Sequence, residues 1–359
     1  MPKLLGFTTS VMDPASRFRF IQFIPHLKQL GWDVIHRPNV PDRQRSTRFR
    51  GRIPRALDHR AARALMKWNR LRDVWHADCA DLVFVNRDLA GGGLFFERQL
   101  LRRNPNVIFD FDDAIFLGRN EAAVRWMCRN AALVTPGNSY LASYARQYSD
   151  RVTVVPTVVD TAKYVINDTP SAPVTRVGWT GSDQSIRQTL FRFLPLLLQI
   201  QESIPFELVV ITQSRPHLPV SGLHWSFVPW CEGEENRLSS YMDIGIMPLV
   251  DGTFERGKCG LKLLQYMAAG LPTIASPVGV NAEITEDGIT GFLPRTDREW
   301  SHALAILLNS YELRRQMGAA GRKRCVSQYS IEGWLPTIDK LFHTVVQQRQ
   351  STAMSASRS

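Results

Sequence analysis

The sequence predicts an α/β protein made of two successive, doubly wound, Rossmann-like domains, and three observations carry that prediction. Apolar runs of strand length alternate with amphipathic segments of helix length along the whole chain. The segments between strands are long enough for crossover helices, which parallel pairing requires. A polar stretch, TAKYVINDTPSAPVT (161–175), interrupts the alternation once, after which the pattern restarts. The expected organisation is an N-terminal domain over 1–162, a linker over 163–174 and a second domain over 175–328. A helix at 329–348 is expected to pack back toward the first domain, followed by a disordered tail at 349–359.

In order, KLLGFTT (3–9) reads as a buried strand. Arg17–Leu30 is a helix with Ser16 as N-cap and Gly31 as its stop. WDVIHRP (32–38) is a strand, Ala56–Trp75 a basic amphipathic helix, DLVFVN (81–86) a strand, Leu94–Arg103 a helix and NVIFDF (106–111) a strand. Glu121–Asn130, ALVTP, Tyr140–Tyr148 and VTVVP continue the alternation. In the second half RVGWTG, FELVVIT, LHWSFVPW, DIGIMPL and TIASP are strands. The helices there are Ser185–Glu202, Glu234–Met242 and the GKCGLKLLQYMAAG segment, with Glu299–Asn309, Glu312–Gln328 and Ile331–Val346 closing the chain.

Composition narrows the function classes. With 44% hydrophobic and 21% charged residues among 359, the chain is an ordinary globular protein with sizeable cores. Its five cysteines include no CxxC pair, which speaks for a reducing compartment, the cytoplasm, and against a disulfide framework or zinc site. MPKLLGFTTSVMD does not read as a signal peptide, and no apolar run reaches the length of a membrane span. The net charge of +11 is concentrated: between Arg43 and Arg72 stand eleven Lys/Arg and one acid, Asp58. That block suits an anionic membrane surface, nucleic acid or acidic small molecules, or is simply a solvated face. No nucleic-acid-binding module is recognisable, so no nucleic acid partner is expected. Neither GxSxG nor GxxxxGK[ST] occurs, GGG at 91–93 lacks dinucleotide spacing, and no His pair has metal-ligand spacing, so no metal or other cofactor is expected.

Ligands in doubly wound sheets sit at the carboxyl ends of strands, so the loops that follow strands hold the candidate residues. The segment 257–270 is expected to begin a helix near Lys258 or Cys259, with Lys258 and Lys262 four apart on one face and Gly257 and Gly260 allowing close backbone approach. Two lysines so placed repel unless an anion lies between them, and a diphosphate fits; solvated surface lysines are the alternative. Trp179-Thr-Gly181-Ser182 offers the N–H groups of Gly181 and Ser182 to a phosphate, or is a bare tight turn. PVGVNAEI (277–284) places Gly279 and Val280 before a helix capped by Asn281, with Glu283 beyond, where N–H groups could hold a carboxylate or sugar hydroxyls. In the first domain Asp13–Arg19 follows the first strand, and Arg17 and Arg19 are expected to point into a cleft or into solvent. Asp110, Asp112 and Asp113 end another strand: clustered carboxylates there serve catalysis, a hydroxyl or a structural pairing with Arg87.

GLKLLQYMAAGLPTIASPVGVNAEI and DGITGFLP resemble the family-4-like (group 1) retaining glycosyltransferases of the GT-B fold, in their pattern of a Glu-x7-Glu helix, a GLPVVA-like strand and a G-x-x-G-F-L turn. VTVVPTVVDTAKY, NAALVTPGNSYLASYA and PASRFRFIQFIPHLKQLGWDV are similar to other segments of that family, the last without its paired glycines. The resemblance spans most of residues 1–345. It implies donor binding by the second domain, acceptor binding by the first and transfer with retention, in which cations and helix N-termini rather than a metal meet the leaving diphosphate. It places Lys258, Lys262, Asp112 and Asp113 in catalytic roles. Ser16, Arg17, Gly181, Ser182, Gly260, Gln265, Gly279, Val280, Asn281 and Glu283 fall at the nucleotide-sugar donor. Two departures stand out: Gly257 and Gln265 occupy the two Glu positions, and TGSDQS replaces an Arg…Lys pair, which Lys258 and Lys262 are expected to replace. Gln265 can still bond a ribose, and Glu255 or Glu283 could serve for the first Glu. The expected activity is hexosyl transfer to a glycan, polysaccharide or lipid-linked acceptor of the cell envelope, with a peripheral contact to the inner membrane face through segment 43–72. A GT-B-like binding protein without catalysis is the alternative, motivated by the lost glutamates.

Overall fold

The structure, a computed structural model, describes residues 1–40, 55–89, 93–167 and 174–356, with the side chains of 55–63 and 349–356 outside the description. It divides into two compact units, residues 1–157 with 334–359, and residues 158–333.

The first unit runs β1 (Lys3–Ser10), α1 (Pro14–Arg19), α2 (Ile24–Gln29), β2 (Asp33–Val40), α3 (Arg55–Trp75), β3 (Leu82–Asn86), α4 (Phe95–Arg103), β4 (Val107–Phe111), α5 (Glu121–Asn130), β5 (Leu133–Pro136) and α6 (Ser139–Ala145). Among the described residues its sheet has the order β2-β1-β3-β4-β5, all parallel. The reversal of winding direction at β1 sets up a crevice at the carboxyl ends of β1 and β3. β1 and β3 are buried on both faces, as apolar runs without alternation require. Gly6 in β1 makes room for the tip of the Phe20 ring: a methyl group there would sit 2.0 Å from its Cζ. Phe20 stacks in turn on Phe84 of β3, centroids 5.0 Å apart. Burying such a ring contributes about 2–3 kcal/mol.

The expected first helix is broken. Asp13, not Ser16, caps α1, its carboxylate accepting from Ser16 N at 3.1 Å, and Pro14 takes the first helical turn where its missing N–H costs nothing. A 3-10 turn at Ile21–Phe23 precedes α2, and Gly31 at φ +92° ends it as expected. VTVVP makes one isolated bridge, Val134 to Val152, rather than a strand.

The second unit runs β6 (Arg176–Thr180), α7 (Asp183–Gln188), α8 (Leu190–Ser203), β7 (Glu207–Thr212), β8 (Trp225–Pro229), α9 (Leu238–Tyr241), β9 (Ile244–Met247), α10 (Thr253–Arg256), α11 (Leu261–Ala268), β10 (Thr273–Ala275), α12 (Asn281–Ile284), β11 (Gly291–Phe292), α13 (Asp297–Asn309) and α14 (Tyr311–Gln328). Among the described residues the sheet order is β11-β10-β9-β6-β7-β8, again parallel. The core packs Val177 and Trp179 of β6 and Val210 of β7 against Leu190, Leu194 and Leu197 of α8 and Trp300, Leu304 and Leu307 of α13. The single helix expected over 185–202 is two, parting at Thr189, whose hydroxyl bonds back to Ser185 O at 2.8 Å.

The last helix, α15 (Ile331–Ala356), begins in the second unit and continues in the first. There Phe342 meets Trp32 edge to face, and the Trp32 indole N–H donates to Asp339 at 2.7 Å. The helix continues to Ala356, eight residues into the stretch expected to be disordered, while 357–359 lie outside the described residues, as do half of the expected linker (168–173), Gly91 and Gly92, and residues 43–54 of the basic segment.

Candidate active site

In the second unit the loops after β6, β9 and β10 hold the candidate donor residues. α11 starts later than expected. Thr253–Arg256 forms its own helical turn, Lys258 follows it with its N–H bonded to Glu255 O, and Gly260 caps α11 at φ +67°. Lys258 therefore lies in the turn before the helix, and the two lysines do not share a helix face. Each is held over an aromatic ring instead: the Lys258 ammonium 4.7 Å from the Phe254 centroid, and that of Lys262 5.3 Å from Trp179. Trp179 is buried at the end of β6, so it fixes where the Lys262 stem runs.

Gly260 is required twice over. Its φ is left-handed, and a methyl group there would lie 2.2 Å from Ile284 Cδ1 and 3.3 Å from Val280 Cγ2. Gly279, at φ +55°, comes so close to the Arg256–Gly257 backbone that a methyl group would sit 2.8 Å from Arg256 O. The turn before α11 and the loop after β10 thus form one unit, bringing Gly260, Gly279 and Val280 together. No side chain caps α11 at Gly260, so its first N–H groups and the positive end of its dipole are presented by backbone alone.

Other expected roles are corrected. The Gly181 N–H donates to Ile211 O at 3.0 Å and is not offered to a phosphate. Ser182 caps α7, its hydroxyl accepting from Ser185 N at 3.1 Å. Asn281 is not a cap: Val280 holds that position, and the Asn281 amide donates back to Ser276 O at 3.0 Å, buried. The Glu283 side chain is exposed, while its carbonyl accepts from Arg324. Gln265 is buried on α11.

Sequence reasoning missed three positioning residues here. The buried Tyr266 hydroxyl accepts from Thr180 N at 3.0 Å and pins α11 to the end of β6; Gly245 leaves room for its ring. Burial holds its phenol above the usual range, so it stays protonated. Arg324 of α14 donates to Ile284 O at 2.9 Å and Glu283 O at 2.7 Å, closing α12 from below. Asp183 is fixed by the Thr212 hydroxyl at 2.6 Å and Ser214 N at 3.3 Å; the Thr212 bond holds its carboxyl below the usual range.

In the first unit the acids sort into two groups. Asp110 is buried and accepts from Arg19 Nη2 at 2.5 Å, Arg19 Nε at 3.1 Å, Asn86 at 3.0 Å and Thr135 at 2.9 Å. Arg19 spends its remaining donors on Val155 O and Thr135 O, so it points neither into a cleft nor into solvent. Arg17 is buried too, its guanidinium 5.3 Å from the Phe18 ring. Ser16 is enclosed, bonded to Ser10 N and Asp13. Asp112 and Asp113 are partly exposed beside Arg87, at 2.9 and 2.6 Å, and Asp13 approaches the same guanidinium at 3.9 Å. Burial disfavours the Arg87 charge, but these three carboxylates outweigh it and raise its pKa further. Arg87 also has φ +68°, a left-handed conformation that costs a non-glycine residue about 1–2 kcal/mol. Carboxylates from the loops after β1 and β4 thereby meet at one arginine after β3. Among the described residues no three His, Cys, Asp or Glu side chains group as a metal-ligand set.

Residues 175–310 match the family described as Glycosyl transferases group 1. The whole chain has the fold of several solved glycosyltransferase-type structures. Sucrose-phosphate synthase from Thermosynechococcus elongatus is 17% identical, with 97% of this chain and 100% of that one covered, at a TM-score of 0.70. Anabaena HepE in complex with UDP and glucose is 14% identical over 99% and 100%, at 0.66. A glycosyltransferase from Rickettsia africae is 11% identical over 96% and 99%, at 0.65. No curated protein matches the chain by sequence.

Proposed function

We propose that the protein, whose residues 175–310 match the group 1 glycosyl transferases and whose fold is that of GT-B structures, moves a sugar from a nucleotide-sugar to an acceptor hydroxyl with retention of anomeric configuration and without a metal. The observation that carries this reading is the packing of the uncapped α11 N-terminus at Gly260 against the loop of Gly279 and Val280, with Lys258 and Lys262 on either side of Gly260 along the chain. The diphosphate takes up the backbone N–H groups at Leu261–Leu263 and at Gly279–Val280. Lys262, and Lys258 from the preceding turn, meet the negative charge that grows on the leaving phosphate as the glycosidic bond breaks. That charge is larger in the transition state than in the bound donor, so these contacts lower the barrier rather than only the dissociation constant. Gln265 bonds a ribose hydroxyl, and Asn281 acts indirectly, by holding the loop through Ser276. In the first unit Asp112 and Asp113, held in place by Arg87, accept a hydrogen bond from the acceptor hydroxyl. The acceptor is a glycan or a lipid-linked glycan.

A thermal-shift panel of UDP-, GDP- and ADP-sugars tests the donor half, with UDP-glucose first because HepE is described with it. A ligand at about 100 times its dissociation constant stabilises by about 2.7 kcal/mol. Lys262→Ala should lose most of the shift for the matching nucleoside diphosphate. An unchanged shift in that variant, or no shift with any of the three, refutes the reading. The anomeric configuration of the product, read by NMR in EDTA, tests retention and metal independence.

A further inference from the structure

Helix α3 buries one side and shows aromatic residues on the other. Arg70 and Val74 are buried, 1% and 0% exposed. Arg70 donates to Leu89 O, Arg37 O and Thr8 O, so this member of the basic block is a tie between strand ends and not a surface charge. Opposite them Leu65, Trp68, Arg72 and Trp75 follow at spacings of three, four and three, one stripe facing solvent. Trp68 is 67% exposed and Trp75 55%. Single exposed apolar residues are ordinary, but neighbours one helical turn apart make a continuous strip.

The adjoining α4 repeats the arrangement. Glu97 and Leu100 are buried, while Phe95, 57% exposed, Arg98 and Arg102 face outward at spacings of three and four. The two stripes meet where the Arg103 guanidinium lies 5.5 Å from the Trp75 ring. The charges on this surface are mainly positive: Arg72, Arg98, Arg102 and Arg103 stand against Asp78, which lies 3.6 Å from Arg103, and the half-buried Asp73.

We infer that the outward face of α3 and α4 docks on an anionic lipid bilayer, with Trp68, Trp75 and Phe95 entering the headgroup layer and the arginines meeting lipid phosphates. Tryptophan suits that depth because its ring is apolar while its N–H stays hydrated, and arginine extends an apolar stem to a charged head. No helix among the described residues is long and apolar enough to cross a membrane, so the contact lies in the interface plane. A water-soluble acidic partner would explain the arginines but not solvent-facing indoles two turns apart on one stripe. The inference is independent of the donor reading, and its test uses no nucleotide.

The full chain is sedimented with vesicles of phosphatidylcholine alone, or mixed with phosphatidylglycerol, at low and high salt. Binding is expected to the anionic vesicles only, and to weaken with salt. Trp68→Ser combined with Trp75→Ser should abolish it. Arg98→Gln and Arg102→Gln should each weaken it about five-fold. All four side chains are exposed, so melting temperatures should hold; if the tryptophan variant fails to fold, the arginine variants carry the test. Brominated lipids should quench the wild-type fluorescence and leave that of the tryptophan variant unaffected. Wild-type protein left in the supernatant, equal binding to neutral vesicles, or unchanged binding by the variants overturns the inference. So does a concentration-dependent dimer that the tryptophan substitutions abolish, since the face then belongs to a second copy.

Discussion

Replacing Asp110 with Ala tests the structural assignment of Arg19 most directly. The substitution removes an acceptor of four hydrogen bonds, two of them from a guanidinium that is itself buried and that keeps its bonds to the carbonyls of Val155 and Thr135. Breaking one side of a buried ion pair costs about 3–5 kcal/mol, because the surviving charge stays away from water. For a unit of this size that is a fall of about 6–20 °C in the melting temperature, at ~2–4 °C per kcal/mol. Calorimetry on the full chain should show the first unit's transition displaced and the second unit's unmoved. The paired change Arg19→Met with Asp110→Leu should recover at least about 1 kcal/mol relative to the sum of the single losses, since no lone charge remains. A single-variant loss under about 1 kcal/mol, or strict additivity, would refute the assignment and return Arg19 to a ligand-facing role.

Three further outcomes follow from the geometry. Gly260→Ala should cost at least about 1–2 kcal/mol from its left-handed φ alone, and more from the contact with Ile284, visible as a lower melting point and a weaker nucleotide shift. Tyr266→Phe leaves the buried Thr180 N–H without its acceptor and should cost about 1–3 kcal/mol in chemical denaturation. Glu97 supplies the pH prediction. Burial, aided by Asp88 and opposed by the N–H groups of Glu97 and Leu89 and by Arg70, pushes its carboxyl up to about 7. The folded state therefore keeps a proton that the unfolded chain releases near 4.5, so this group makes stability fall as pH rises from about 4.5 to about 7 and level off above. Glu97→Gln should lack that slope and exceed the wild type above pH 7 by up to about 3 kcal/mol. His36, lowered to about 4 by burial with Arg70 and Arg37 adding, contributes the opposite slope between about 4 and 6.5, and is common to both proteins. A wild-type-minus-variant difference that is flat with pH would remove the Glu97 assignment.

The alternation of elements and the stop at Gly31 were legible because each rests on a local rule: periodicity, a cap or a φ that only glycine tolerates readily. The same holds for Gly279, whose turn follows β10 by simple spacing, whereas the intervening α10 turn before Gly260 was not foreseen. The break of the first helix was harder to see, since Asp13 and Ser16 are both good caps and the choice depends on which one β1 delivers to the turn.

What the sequence determined by itself was an inventory: two parallel sheets, the loops that follow their strands, and the glycines and cations that these loops contain. Tertiary structure decided what each charge and each N–H faces. Arg19 and Asp110 are 91 residues apart, and Gly181 follows β6 while Ile211 lies in β7, so no local pattern could announce that they satisfy one another. The physical reason is competition: a buried donor or charge takes the nearest acceptor that folding supplies, and only the groups left over can address a ligand.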